Sequence, residues 1–312
     1  MSKSTKLMGT ACFLATALVA GPAAANSLTG FTAMLDTHYT HSTYSSFDPV
    51  PTAGPFNETW EQGDAWNSWS FGGSIAMPVA DVPGINWQVD AQYAHRWGSD
   101  AHLCNDIDGC SAIAQSAEAW DFGFSPFWAG EQGRVGINLN YNTTTHWGHL
   151  TNGGVFGEWY FGPITAAAKA GWLSAGGTPT GGHGNYYGGA VTFYALPNLS
   201  ITGSVTWSDL VTGSTLVSVS NPGCFASVCG RRDWNQLTYG AVVEFLVSEA
   251  LPFSVYGGIS YTQYTRTENA VIPGDDFTSL NWLVGLRFYP GSGQLINKHR
   301  DGNLFSWLRG PG

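Results

Sequence analysis

From Leu199 to Ser208 the chain alternates without a fault. Leu199, Ile201, Gly203, Val205 and Trp207 are apolar or small, while Ser200, Thr202, Ser204, Thr206 and Ser208 all carry hydroxyls. Side chains of an extended strand point to opposite faces in turn, so this pattern predicts a strand with two unlike faces. The same stripe returns along the chain: Ile85/Trp87/Val89/Ala91/Tyr93, Val135/Ile137/Leu139/Tyr141, Leu237/Tyr239/Ala241/Val243/Phe245, Phe253/Val255/Gly257/Ile259/Tyr261 and Trp282/Val284/Leu286/Phe288. Several stripes begin or end in Trp, Tyr or Phe, as the aromatic girdles at two lipid–water interfaces require. A soluble β-sandwich would bury these faces as a core, but it has no need of aromatics at so many stripe ends.

Composition excludes other classes. Charged residues make up 11% and aromatics 14%, against about 25% charged in an ordinary soluble domain. Beyond the N-terminus no apolar run is long enough for a spanning helix. In lipid every backbone donor and acceptor needs an internal partner, and a closed barrel provides this where an open sheet does not.

The N-terminus reads as a signal peptide over residues 1–25: Lys3 and Lys6, an apolar run from Met8 to Ala20, then Ala23-Ala24-Ala25 as a small-residue cleavage site before Asn26. Its removal takes the formal net charge from −10 to −12, which argues against a nucleic-acid partner. Four cysteines then remain, as the close pairs Cys104/Cys110 and Cys224/Cys229 in polar segments. In an exported chain an even count reads as disulfides. Local pairing, Cys104–Cys110 and Cys224–Cys229, is expected, although two other connectivities exist. Neither spacing is the tight C-x-x-C of a zinc site.

Twelve segments read as strands, at 28–43, 66–79, 85–98, 114–128, 134–145, 153–162, 165–174, 185–196, 199–210, 233–247, 252–266 and 278–289. Short connections with turn residues alternate with long ones. The expectation is one all-β domain over residues 26–289. It would be a single transmembrane antiparallel up-and-down barrel of about 12 strands, with short periplasmic turns and longer outer loops.

The chain resembles the outer-membrane β-barrel and porin-like proteins of Gram-negative bacteria. The resemblance rests on the signal segment, the alternating strands, the girdle aromatics and a last strand ending Gly285-Leu286-Arg287-Phe288-Tyr289, and it covers nearly the whole mature chain. It implies residence in the bacterial outer membrane, with membrane lipid and lipopolysaccharide as surroundings. One departure stands out: 23 residues follow Tyr289, and 290–312 is read as a short periplasmic tail.

Parity then assigns the inward face. Asp90, Arg96, Asp121, Glu158, Lys169, Glu244 and Arg287 fall on it, with Asp36, His38, Asn86, Gln88, Gln92, Asn138, Asn140, Thr192 and Tyr256. Charges facing lipid would cost roughly 2–4 kcal/mol each near the midplane. If Pro163 and Ile164 form a two-residue turn, Glu158 stands directly opposite Lys169. Twelve strands lie between a side-chain-filled barrel of eight and an aqueous porin of 16, so a narrow polar passage for small hydrophilic solutes is expected.

Two other functions compete. A non-conducting scaffold would bind a surface partner through its loops, one of which holds Asp106-Ile107-Asp108-Gly109, a weak calcium-ligand fragment. A membrane lipid hydrolase would need a Ser beside a His, and His38, His41 and Ser42 lie close in sequence. No His-x-Ser-Asn element occurs, so no enzyme, metal or cofactor is expected.

Overall fold

The computed structural model describes residues 31–44, 58–60, 65–80, 82, 84–98, 101–105, 109–113, 116–144, 148–176, 182–212, 232–267, 276–290 and 293–300. The elements are β1 (Thr32–Tyr44), β2 (Glu58–Trp60), β3 (Ala65–Pro78), β4 (Ile85–Gly98), β5 (Ala101–Asn105), β6 (Gly109–Ile113), β7 (Ser116–Gly130), β8 (Gly133–Thr144), β9 (Gly148–Phe161), β10 (Ile164–Gly176), β11 (Gly182–Leu196), β12 (Leu199–Thr212), β13 (Arg232–Ser248), β14 (Leu251–Thr267), β15 (Asp276–Phe288) and the short helix α1 (Leu295–Arg300). Twelve strands form one closed antiparallel ring in the order β1-β15-β14-β13-β12-β11-β10-β9-β8-β7-β4-β3. The seam joins first strand to last, with Asp36 opposite Arg287 and Leu35 opposite Phe288. β2, β5 and β6 form a separate three-stranded sheet, which the alternation pattern did not reveal.

The expected faces are those observed. Val135, Ile137, Leu139, Val205, Tyr239, Val243, Val255, Trp282 and Val284 are exposed on the outside, whereas Gln88, Asp90, Asn138, Glu158 and Glu244 are buried inside. In water this exterior would be an apolar patch far beyond the few hundred Å² that soluble proteins carry. In a bilayer it is the matching surface, and we read the ring as spanning one. Most of the ring's strands run to 13–17 residues, more than the roughly 9–11 a tilted strand needs to cross.

The five connections at one end are short: 79–84, 131–132, 162–163, 197–198 and 249–250. Both ends of the ring, Thr32 and Phe288, lie there too. Two connections expected to be long are short, because β9 starts at Gly148 and β11 at Gly182. There the polar strand ends continue to pair beyond the apolar stripes that were used to delimit them.

One register expectation fails. The β9–β10 turn is Gly162-Pro163, so Ile164 pairs with Phe161, Glu158 with Ala167 and Lys169 with Phe156. Gly162 adopts φ 53°. A primed hairpin turn needs positive φ at its first central position, which Gly supplies and Pro cannot. Shifting the turn by one residue moves each pairing by two and separates Glu158 from Lys169.

Candidate site in the barrel lumen

The segment after β15 does not trail away from the barrel. Gly293, at φ 128°, turns the chain back, and α1 settles into the short-turn end of the ring. Leu295 is fully buried against Met34, Leu246 and Tyr289, residues of β1, of β13 and of the end of β15. Backbone bonds tie the segment to two turns: Gly293 N–H donates to Glu249 O (3.2 Å) and Leu295 N–H to Pro197 O (2.9 Å). Residues 293–300, part of the segment read as a short tail, thus pack against the short-turn end of the barrel. Met34 and Leu246, apolar residues at inward positions, were sequence signals for this seat.

Two charged clusters meet α1. In the first, Arg134 on β8 faces Glu158 on β9 in direct register. Its Nε donates to Glu158 Oε2 (2.8 Å), while Nη2 donates to the carbonyl of His299 (2.9 Å). Arg300 caps the same corner. Its Nη2 donates to Gly162 O (2.7 Å) and Ile164 O (2.8 Å), and its guanidinium lies 4.7 Å from the Tyr160 ring centre.

The second cluster lies at the seam. Arg287 Nε donates to Asp36 Oδ2 (2.8 Å), and Nη1 donates to Glu244 Oε2. The guanidinium stacks 4.1 Å from the Tyr256 ring, whose hydroxyl donates to both Asp36 oxygens. Ser254 and Tyr289 hydroxyls donate to Glu244 Oε1 (2.6 and 2.8 Å). His299 Nε2 lies 3.4 Å from Glu244 Oε2 and its Nδ1 3.2 Å from the Tyr194 hydroxyl. Burial pushes the His299 pKa below its ordinary value, against the opposing pull of Glu244.

Above these clusters the lumen divides. Across β7–β11 and the Gln88–Asp90 end of β4, polar side chains bond to one another inside it. Gln88 Nε2 donates to Asp90 Oδ1 (2.7 Å), Asn140 Nδ2 to Asn152 Oδ1 (2.8 Å) and Asn138 Nδ2 to the Tyr186 hydroxyl (3.0 Å). Lys169 is buried with its Nζ 5.8 Å from the Tyr186 ring centre. The Tyr186 ring fits because Gly154 and Gly171 leave it room: a Cβ at either would come within 2.6 Å of its hydroxyl. On the opposite side the structure holds a cavity of about 280 Å³. Its lining includes Thr202, Ser204, Thr238 and Ser260, with Asp36, Glu244 and Arg287 at its foot.

The seven candidate residues are thus dispersed. Glu244 and Arg287 meet at the seam, and Glu158 meets Arg134 instead of Lys169. Asp90 and Lys169 belong to the side crossed by polar side chains. Asp121 sits on β7 opposite Gln92, and Arg96 is exposed near the long-loop end of β4. Sequence reasoning passed over Arg134, Tyr186, His299 and Arg300. Arg134 was within reach, since it shares the parity of Asn138 and Asn140. His38 and His41 face opposite ways: His38 Nδ1 meets Asp36 (2.8 Å), whereas His41 Nδ1 meets Asn67 Oδ1 (2.8 Å) beside the exposed Trp69. For the cysteines, the β5–β6 register sets Cys104 opposite Cys110; Cys224 and Cys229 lie outside the described residues, as does the signal segment.

No family model matches the sequence, and no curated protein matches it. Solved structures resemble it in barrel architecture. The KdgM porin in complex with disordered oligogalacturonate aligns over 81% of this chain and 98% of its own, at 7% identity and TM-score 0.43. An outer membrane channel from Pseudomonas putida F1 aligns over 82% and 95%, at 7% identity and TM-score 0.46. The transport unit of the autotransporter AIDA-I from Escherichia coli aligns over 82% and 90%, at 10% identity and TM-score 0.45.

Proposed function

We propose that this chain is an outer-membrane channel through which small hydrophilic solutes pass along one side of the lumen, and that α1 closes its periplasmic mouth. The observation that carries the reading is the divided interior. One arc is crossed by polar side chains bonded to one another, while the other keeps a space of about 280 Å³, lined in part by hydroxyls. A barrel that served only as a scaffold has no need of that space.

The remaining parts of the reading follow from an exported chain. Residues 1–25 direct export and are removed. The short-turn end faces the periplasm, the girdle aromatics sit against lipid and lipopolysaccharide, and the loop cysteines pair locally. The Asp36–His38 pair belongs to the seam network and is not a catalytic dyad, because the same Asp36 carboxylate also holds Tyr256 and Arg287.

The test is conductance of the full chain in planar bilayers, unmodified and as Leu295→Asp. A carboxylate at this fully buried site undocks α1, since burying an unpaired charge is far costlier than exposing it. Stable conductance steps that grow in size or frequency in the variant are expected. Arg300→Ala, which removes the corner contacts without adding charge, should act in the same direction. Heat-modifiable migration on a detergent gel checks that each variant is folded. Silence in all three folded proteins would overturn the channel reading and leave the loop-binding scaffold.

A further inference from the structure

We propose that the lumen cavity selects small neutral polyhydroxylic solutes, of monosaccharide or short-polyol size, and turns anionic solutes away; this rests on the channel reading above. Charge at the foot of the cavity is the first ground. Two carboxylates, Asp36 and Glu244, share one guanidinium, Arg287. Arg287 spends Nε on Asp36, Nη1 on Glu244 and its face on Tyr256. It is therefore committed to the wall, and the formal charge it leaves there is negative. Low-dielectric walls focus such a field onto the solute, so an anion entering this space is opposed.

The same bonds disfavour a cation as the preferred occupant. Asp36 already accepts from Tyr256 and Arg287 and meets His38; Glu244 accepts from Ser254, Tyr289 and Arg287. The carboxylate oxygens are engaged by the protein's own donors.

Much of the lining is apolar or small, and above the charged foot most of the polar groups that face the space are hydroxyls. Thr202, Ser204, Thr238 and Ser260 come from three adjacent strands, β12, β13 and β14. Each hydroxyl both donates and accepts. Thr202 shares a hydrogen bond with Thr192 (2.8 Å), and Thr238 shares one with Thr262 (3.1 Å) and accepts another from Gln236 Nε2 (3.3 Å); a hydroxyl can make three bonds, so each keeps capacity for another. A solute hydroxyl has the same dual character, so an array of wall hydroxyls can replace its water shell bond for bond. Val242 and Leu283 also line the cavity and suit the C–H faces of a sugar ring. At about 280 Å³ the space sits at the lower edge of the roughly 300–1,000 Å³ that small-molecule sites span, which points to a single sugar unit and not a chain.

The experiment is osmotic swelling of proteoliposomes holding the full chain, unmodified and as Leu295→Asp, in iso-osmotic ribose, ribonate, glucose, gluconate and glucosamine. Ribose and glucose should enter several-fold faster than ribonate and gluconate. Thr202→Lys adds an uncommitted ammonium to the hydroxyl wall and should bring ribonate close to ribose. If ribonate already matches ribose without that change, the selectivity is wrong while the channel stands. Faster entry of glucosamine than glucose would also overturn it, in favour of cation passage. If neither protein admits any of the five solutes while both remain heat-modifiable, the channel reading fails and takes this inference with it.

Discussion

Arg134 and Glu158 stand directly opposite each other on β8 and β9, with Nη2 and Oε2 2.7 Å apart and both side chains almost wholly removed from solvent. The pair holds one wall of the lower mouth, and Arg134 reaches on to the carbonyl of His299. Removing one partner of a buried pair strands the other charge. Arg134→Met should therefore cost about 3–5 kcal/mol, whereas Arg134→Met with Glu158→Met should recover much of it. Urea midpoints of the folded barrel in lipid vesicles measure both; an equal loss in single and double variants would mean that the charge itself is not what matters.

The outer surface gives a second test. Val205 is exposed to lipid and Thr206 points inward on the same strand. Val205→Arg should destabilise by roughly 2–4 kcal/mol more than Thr206→Arg if position 205 lies near the midplane. Matching urea midpoints for the two would overturn the face assignment.

Packing inside the arc crossed by polar side chains predicts a third result. A methyl at Gly171 would lie 2.2 Å from Gly153 O and 2.6 Å from the Tyr186 ring. Gly171→Ala should cost about 1–3 kcal/mol through forced displacement of its neighbours. The hydrogen bond from Asn138 to Tyr186 should be lost with it. Adding Tyr186→Ser should relieve part of the cost, read as partial return of the urea midpoint.

Acid should loosen α1. His299 is buried and its pKa lies below the ordinary 6.5, chiefly through burial, while Glu244 pulls the other way. The docked form is then neutral, and the released form takes up a proton once pH falls below about 6.5. Docking is strongest above that value and weakens as pH falls, with no contribution from this group at higher pH. Arg134, Arg287, Tyr194 and Tyr289 surround it, and none of these residue types ordinarily titrates between pH 5 and 8. Hydrogen exchange of residues 293–300, corrected for intrinsic rates, should rise between pH 7 and 5. In His299→Gln that rise should largely disappear; its persistence would assign the pH response elsewhere.

The cysteine loop is checked chemically. β5 and β6 bring Cys104 and Cys110 opposite each other, a separation compatible with disulfide geometry. Non-reducing peptide mapping of the exported protein should recover Cys104 joined to Cys110. Linkage of either to Cys224 or Cys229, or two free thiols, would refute it.

Alternation made the ring legible. A period of two fixes both the strand and its outward side, and wherever the stripe was clean, as from Val135 to Tyr141, the structure agrees. It could not fix register at Pro163, because the stripe is indifferent to which residue opens the turn, and there the positive φ of Gly162 decides. Nor could it find the seat of α1. A six-residue helix has too little pattern to be read, and its partners Met34, Leu246 and Tyr194 lie far apart in sequence. Pairings across the lumen, such as Asn138 with Tyr186, depend on which strands close the ring and not on spacing along the chain.

The seat of Leu295 needs Met34 from the first strand and Leu246 from the third-last, so it exists only once β15 has paired with β1. The Asp36–Arg287 bond forms at the same moment, across 251 positions of sequence. The last described residues to leave the ribosome are thus also the last to find their place. An assembling barrel whose seam is still open has nothing to hold α1. The docked helix is in that sense a record that closure has taken place.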